Sequence, residues 1–148
     1  MNLEEIKSLI KEVLAEGYLM SLGTVDEGGV WVVDVIYIFD DELNIYWMSD
    51  PAVRHSQAIL KNNQVAGTIT ISGQGGDNLG LQFSGLVERV EGPRYDLALK
   101  HYAKRRKPAP GEDEDVLDGD SWYVLRPKMF ELINEKLFGF KKQKIELL

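Results

Sequence analysis

Over the first sixteen positions apolar residues recur every three or four places. Leu3, Ile6, Leu9, Ile10, Val13 and Leu14 share one face of a predicted helix. Asn2 is placed to cap it, with Glu5 three residues on, and Gly17 to stop it. Lys and Glu fill the other face, so this helix is expected on the surface. From Tyr18 the period shortens. Tyr18–Val25, Val30–Phe39 and Leu43–Met48 are rich in β-branched and aromatic residues and read as strands. The breaks between them, Asp26-Glu27-Gly28-Gly29 and Asp40-Asp41-Glu42, are turn sequences too short for a parallel crossover, so an antiparallel meander is expected. Val30–Phe39 is apolar at nearly every position, which predicts cover on both faces.

Ser49-Asp50-Pro51 opens a short helical stretch with Val53, Ala58, Ile59 and Leu60 expected to point inward. Gln64–Ser72 and Gly80–Glu91 follow as strands, joined by the flexible link Gly73–Asn78. Gly92–Lys107 reads as a helix and Pro108–Asp120 as a mobile loop. A last strand region is expected in pieces, Trp122–Arg126, Met129–Asn134 and Gln143–Leu147. The sum is a mainly β protein with flanking helices, a six- to eight-stranded antiparallel barrel. Residues 1–148 are expected to form one domain, with 1–17 as the N-terminal helix and 108–120 as a mobile acidic loop.

The 148 residues carry a net charge of −7, and six of the acids lie in EDEDVLDGD (112–120). Without those six the net charge would be −1, so the acidity belongs to one loop. Directly before it, KHYAKRRK (100–107) holds five bases and no acid. Opposite charge runs side by side argue against a broad basic face for duplex nucleic acid. A cation run with Tyr102 among it can bind single strands, but its acidic neighbour competes, and a solvated helix end is the plainer expectation. There is no cysteine, which excludes disulfides and thiolate chemistry. No apolar run is long enough to span a membrane and the N-terminus lacks the apolar core of a secretory signal, so a cytoplasmic location is expected.

Candidate chemistry is sparse. His55 and His101 have no metal-binding spacing, and no metal site is expected. Ser84 sits in a strand pattern, not in a nucleophile elbow. The glycines of GQGG join strand to strand, whereas a phosphate loop needs a helix N-terminus after it. More informative is Ser49-Asp50-Pro51-Ala52-Val53-Arg54-His55, where a polar turn leaves a strand and puts two potentially cationic side chains at a helix start. Open N–H groups, the positive helix end and an Arg fork suit a phosphate monoester. A capped surface helix with a solvated Arg is the plain alternative. Trp31, Tyr37, Phe39, Tyr46, Trp47, Phe83, Trp122 and Tyr123 fall in predicted strands. Most are expected in the core, with one or two at a rim free to stack on a planar ring.

The ordered set VIYIFD (35–40), VRHSQ (53–57), VAGTI (65–69), LQFSGLVERVEG (81–92), YAKRRKP (102–108), WYVLRPKMFEL (122–132) and LFGFKK (137–142) resembles the FMN-binding split barrel of the pyridoxamine 5′-phosphate oxidase superfamily. The match is closest to its YhbP-like bacterial branch. The resemblance implies a homodimer with two flavin sites at the subunit interface. It maps the flavin phosphate near Ser49, Arg54 and His55, and the isoalloxazine beside the backbone of Asp34, Val35 and Ile36. Gln82 and Trp122 match positions from which the superfamily reaches the flavin. Three departures stand out. Val30–Phe39 holds no Arg or Lys, Val53 stands where a Ser or Thr often precedes the Arg, and LFGFKK has no Arg-and-His substrate motif. The resemblance therefore does not extend to pyridoxal phosphate synthesis. It implies an FMN-binding protein and a flavin-dependent oxidoreductase with no assigned catalytic acid or base and no assigned substrate. FAD or another planar cofactor such as haem remains open. So does a non-enzymatic dimer that has lost flavin and serves as a small-molecule-binding or structural module.

Overall fold

In the computed structural model, which describes residues 1–147, Asn2 caps the first helix, α1 (Leu3–Glu16). Its side chain accepts from the Glu5 backbone N–H at 2.9 Å and its amide donates to the Glu5 carboxylate at 3.2 Å, which fixes the first turn. Ile6, Ile10, Val13 and Leu14 are the buried stripe. The helix ends where Gly17 turns extended, a conformation open to any residue, so glycine is needed there for space and not for backbone freedom. A Cβ there would lie 2.7 Å from the Ile69 side chain and against the Tyr37 hydroxyl.

Eight strands follow, interleaved with three further helices: β1 (Leu19–Asp26), β2 (Gly29–Ile36), β3 (Ile38–Phe39), β4 (Ile45–Ser49), α2 (Arg54–Lys61), β5 (Gln64–Thr70), β6 (Leu79–Val90), α3 (Tyr95–Lys104), β7 (Ser121–Asn134), α4 (Glu135–Phe138) and β8 (Gln143–Glu146). Every pairing is antiparallel. The sheet order is β2-β1-β5-β6-β7-β4-β3, with β8 on β7. β2 and β3 stand at opposite ends of that order, yet one residue, Tyr37, joins them. The sheet therefore curls into a half-barrel, as the mainly β split-barrel expectation requires. Its interior holds Ile10, Leu14, Met20, Leu22, Ile45, Trp47, Phe130 and Leu132, all wholly buried. Each such side chain contributes ~1.5–3 kcal/mol by leaving water.

Tyr37 also ties down α1. Its hydroxyl donates to the Leu14 carbonyl at 2.7 Å. Lys104, at the end of α3, donates to the same oxygen at 3.2 Å and lies 4.1 Å from the Tyr37 ring centre. α1 has no base in its last turn, so a lysine 90 residues away supplies the cation that a helix C-terminus favours.

Several sequence expectations are corrected. The pieces 122–126 and 129–134 are one strand, because β7 pairs with β6 along its whole length while exchanging β4 for β8 on its other edge. The exchange occurs at Pro127 and Lys128, where the register slips opposite Ser84 and Gly85. A bulge of this kind tolerates a proline that lacks an N–H. Gly85 is needed there, since a Cβ would run into the Arg126 carbonyl. Val30–Phe39 is not covered on both faces. β2 is an edge strand, and Val30 and Val32 are 73% and 60% exposed. Val53 and Leu60 face outward, because α2 turns His55, Ser56, Ala58 and Ile59 inward instead. The 108–120 segment, expected as a mobile loop, makes contacts with the body. Tyr95 donates to the Pro110 carbonyl at 2.8 Å, and Val116 and Leu117 pack on a second core of Ile38, Leu97, Ala98 and Trp122. Among the described residues no helix is long and apolar enough to cross a membrane.

Candidate functional site

The head of α2 is built from the turn that leaves β4. Asp50 accepts from the Ala52 N–H through its side chain at 2.9 Å and from the Val53 N–H through its carbonyl at 3.3 Å. Gln57 reaches back to the Pro51 carbonyl at 2.7 Å. The cap residue is Val53, whose side chain offers no acceptor, so the leading N–H groups of α2 carry no side-chain cap. Arg54 stands at this end, where a cation opposes the helix dipole. Two contacts hold it. Its guanidinium lies 4.2 Å from the Trp31 ring centre. Its Nε and Nη2 donate to the two oxygens of Asp26 at 2.8 and 3.0 Å, a bidentate pair. The pair holds the Asp26 carboxyl below its usual range and raises the Arg54 guanidinium further. Arg54 and Asp26 border a cleft of about 900 Å³ between the β1–β2 turn and α2, which Glu27, Gln57 and Lys61 also line.

Ser49 and His55 lie behind Arg54, and their polar atoms meet each other. His55 Nε2 and Ser49 Oγ are 2.9 Å apart and both residues are buried. Burial lowers the His55 pKa, so the ring is neutral at pH 7 and adds no positive charge to Arg54. The pair anchors the start of α2 to the end of β4.

The remaining sequence candidates lie elsewhere. Asp34 and Gln82 face the outer surface of the sheet, where pairing aligns Asp34, Ser21, Thr68, Gln82 and Glu131 across five strands. Asp34 accepts from the Ser21 hydroxyl at 2.6 Å, and Gln82 accepts from Lys142 at 2.9 Å. Ser21 and Gln82 border a groove of about 480 Å³ floored by Gly23, Ala66 and Gly67. Val35 points into the core and Ile36 is half-buried. Trp122 is not brought to either cleft. It is wholly buried beside α3, its N–H donates to the Pro93 carbonyl at 2.9 Å, and His101 packs edge-on against it. The basic stretch 100–107 is partly used inside the fold. Lys104 turns to α1, Tyr102 donates to Glu114 at 3.0 Å, and Arg105 lies over the Tyr102 ring.

Sequence reasoning missed Asp26, taken as a turn residue, and Lys61. Helical spacing from Arg54 to Gln57, Ala58 and Lys61 could have found the lysine, because all four line the cleft. No spacing rule could have joined Asp26 to an arginine 28 residues away. Trp31 is the rim aromatic that the strand pattern could not single out.

Comparison with known proteins agrees with this architecture. The family described as Pyridoxamine 5′-phosphate oxidase matches residues 6–134. The UPF0306 protein YhbP of Escherichia coli O157:H7 is 30% identical over 147 residues, covering 97% of this chain and 94% of its own. The General Stress Protein 26 of Bacillus anthracis shares the fold with a TM-score of 0.73 at 15% identity, over 97% of this chain and 99% of its own. A heme binding protein from Mycobacterium smegmatis does so with a TM-score of 0.70 at 16% identity, over 95% of this chain and 57% of its own. With an antiparallel half-barrel, flanking helices and a family match over most of its length, the chain belongs to the pyridoxamine 5′-phosphate oxidase family, among the YhbP-like relatives.

Proposed function

We propose that this chain is an FMN-binding homodimer that works as a flavin-dependent oxidoreductase, holding the flavin phosphate at Arg54. The observation that carries the proposal is the uncapped head of α2, with Arg54 stacked on Trp31 at the border of a cleft of about 900 Å³. The residues present fit such a group. Backbone N–H groups and a guanidinium suit a phosphate, and a cleft of this size suits a small-molecule cofactor. Arg54 and the leading N–H groups of α2 bind the phosphate, while the Ser49–His55 bond fixes their position. β2 pairs on one side only, so beyond this cleft its free edge offers backbone groups at Asp34, Val35 and Ile36 to a ring system. A bound flavin supplies the electron and hydride chemistry, and the protein supplies binding and orientation.

The dimer is supported by the apolar strip on the outer sheet face, where Leu19, Val25, Val30 and Val32 are exposed beside the Gly23 groove. Burying such a strip against a second copy is the usual answer to an exposed edge. A flavin is favoured over a haem held through histidine, because His55 is buried on Ser49 and His101 is buried against Trp122. The location that goes with this proposal is the cytoplasm. A second reading, a split-barrel dimer without flavin, is favoured by the Asp26 carboxylate seated on Arg54.

FMN titrations of the wild type, Arg54→Ala and Trp31→Ala, followed by flavin fluorescence, separate these readings. Losing a charge-assisted bond to phosphate should weaken FMN binding about tenfold or more in Arg54→Ala. Unchanged FMN affinity in that variant would remove the phosphate assignment.

A further inference from the structure

We infer that Asp26 is an internal competitor for the anion at Arg54 and sets how strongly this cleft discriminates a phosphate-bearing ligand from its uncharged counterpart. This inference rests on the phosphate reading above. The Asp26 carboxylate takes the side-on fork of Arg54, with bonds of 2.8 and 3.0 Å to Nε and Nη2. Its position does not depend on Arg54 alone, because Oδ1 also accepts from the Gly28 N–H at 2.8 Å and the β1–β2 turn holds it there. The fork is therefore filled by a carboxylate that the fold itself delivers. Arg54 keeps three N–H donors beyond the two spent on Asp26. An incoming phosphate can either share the guanidinium with the carboxylate or displace it. Sharing sets a dianion beside a carboxylate, and displacement breaks two charge-assisted bonds and frees the turn. Either route weakens the phosphate contact, whereas a ligand without phosphate feels no such opposition.

The pair is partly shielded from solvent. Asp26 and Arg54 have side-chain exposures of 26% and 38%, and the Trp31 ring covers one guanidinium face. Glu27 lines the same cleft, but the ion pair to Arg54 is made by Asp26. Glu27 thus supplies an internal control of equal charge.

The test is a set of titrations with FMN and with riboflavin, read by flavin fluorescence, on the wild type, Asp26→Asn, Glu27→Gln, Arg54→Ala and the Asp26→Asn/Arg54→Ala double variant. Asparagine keeps an oxygen for the Gly28 N–H, so the turn is retained. Trp31 is the exposed tryptophan beside Arg54, while Trp47 and Trp122 are wholly buried, so the red edge of the tryptophan emission, read before flavin is added, reports the turn. Asp26→Asn should tighten FMN about tenfold, leave riboflavin unchanged, and lose that gain in the double variant. Glu27→Gln should tighten FMN by less than threefold. Equal gains in Asp26→Asn and Glu27→Gln would reduce the effect to net charge and overturn the inference. Weaker FMN binding in Asp26→Asn would overturn it too, by making Asp26 a positioning residue for Arg54. If Arg54→Ala binds FMN as the wild type does, the phosphate reading fails first and the inference falls with it.

Discussion

Replacing His101 with phenylalanine should flatten the acid sensitivity of this fold. His101 is 4% exposed, packs edge-on to Trp122 at 5.8 Å, and has no partner for Nδ1. Burial, with the nearby charges of Arg105 and Lys107, pushes its pKa down to about 4. In the unfolded chain the ring titrates near 6.5. Between those values the unfolded state takes up a proton that the folded state refuses. The His101 contribution is therefore complete above pH 6.5 and is lost as the pH falls toward 4. At ~1.4 kcal/mol per pH unit the full loss is about 3 kcal/mol, a large share of the ~5–15 kcal/mol that holds a typical domain. Phenylalanine keeps the ring edge on Trp122 and cannot titrate. Urea unfolding of both proteins at pH 7.5 and 4.5 reads the difference. The wild type should lose about 2–3 kcal/mol more than the variant over that interval. Burial lowers the His55 pKa as well, and the ion pairs lower those of Asp26 and Asp96. These groups add acid sensitivity of the same sign, but both proteins share them and they cancel in the comparison. Parallel loss in the two proteins would refute the argument.

Three further outcomes follow from the packing. Tyr37→Phe removes the 2.7 Å bond to the Leu14 carbonyl but leaves Lys104 on it, so the cost should be about 1 kcal/mol, or roughly 2–4 °C in a thermal melt. No change in Tm would mean that the lysine alone satisfies the carbonyl. Gly85→Ala drives a Cβ into the Arg126 carbonyl and should cost about 1–3 kcal/mol by urea unfolding, whereas full tolerance would show that the β6–β7 bulge can relax. Val32→Lys places a charge on the outer sheet face and should turn the proposed dimer into a monomer in sedimentation velocity. A variant that stays dimeric would move the interface to another surface.

What could be seen in the sequence was mostly local. The spacing from Leu3 to Leu14, with Asn2 and Glu5, carries α1 and its cap without help from the rest of the chain. Strand composition and short turns carried the antiparallel β architecture. Burial did not follow, because an apolar run such as Val30–Phe39 is the same sequence whether its second face meets this chain or another surface. Pro127 looked like a strand break, since only a partner strand with room for a bulge lets a proline pass. Arg54 was legible because a turn, a helix start and a cation are contiguous. Its two neighbours were not, since Trp31 and Asp26 reach it through the β1–β2 hairpin. Trp122 entered the expected site by resemblance alone, and in the fold its ring belongs to the core under α3.

A titration of the purified wild-type protein with FMN and, separately, with riboflavin, followed by flavin fluorescence, tests the central claim most directly. Saturation at one flavin per subunit in the low-micromolar range, about −8 kcal/mol, with FMN tighter than riboflavin, is the predicted result. No FMN binding at ~100 μM, weaker than about −5.5 kcal/mol, would contradict it and favour the second reading proposed above, a fold that works without flavin.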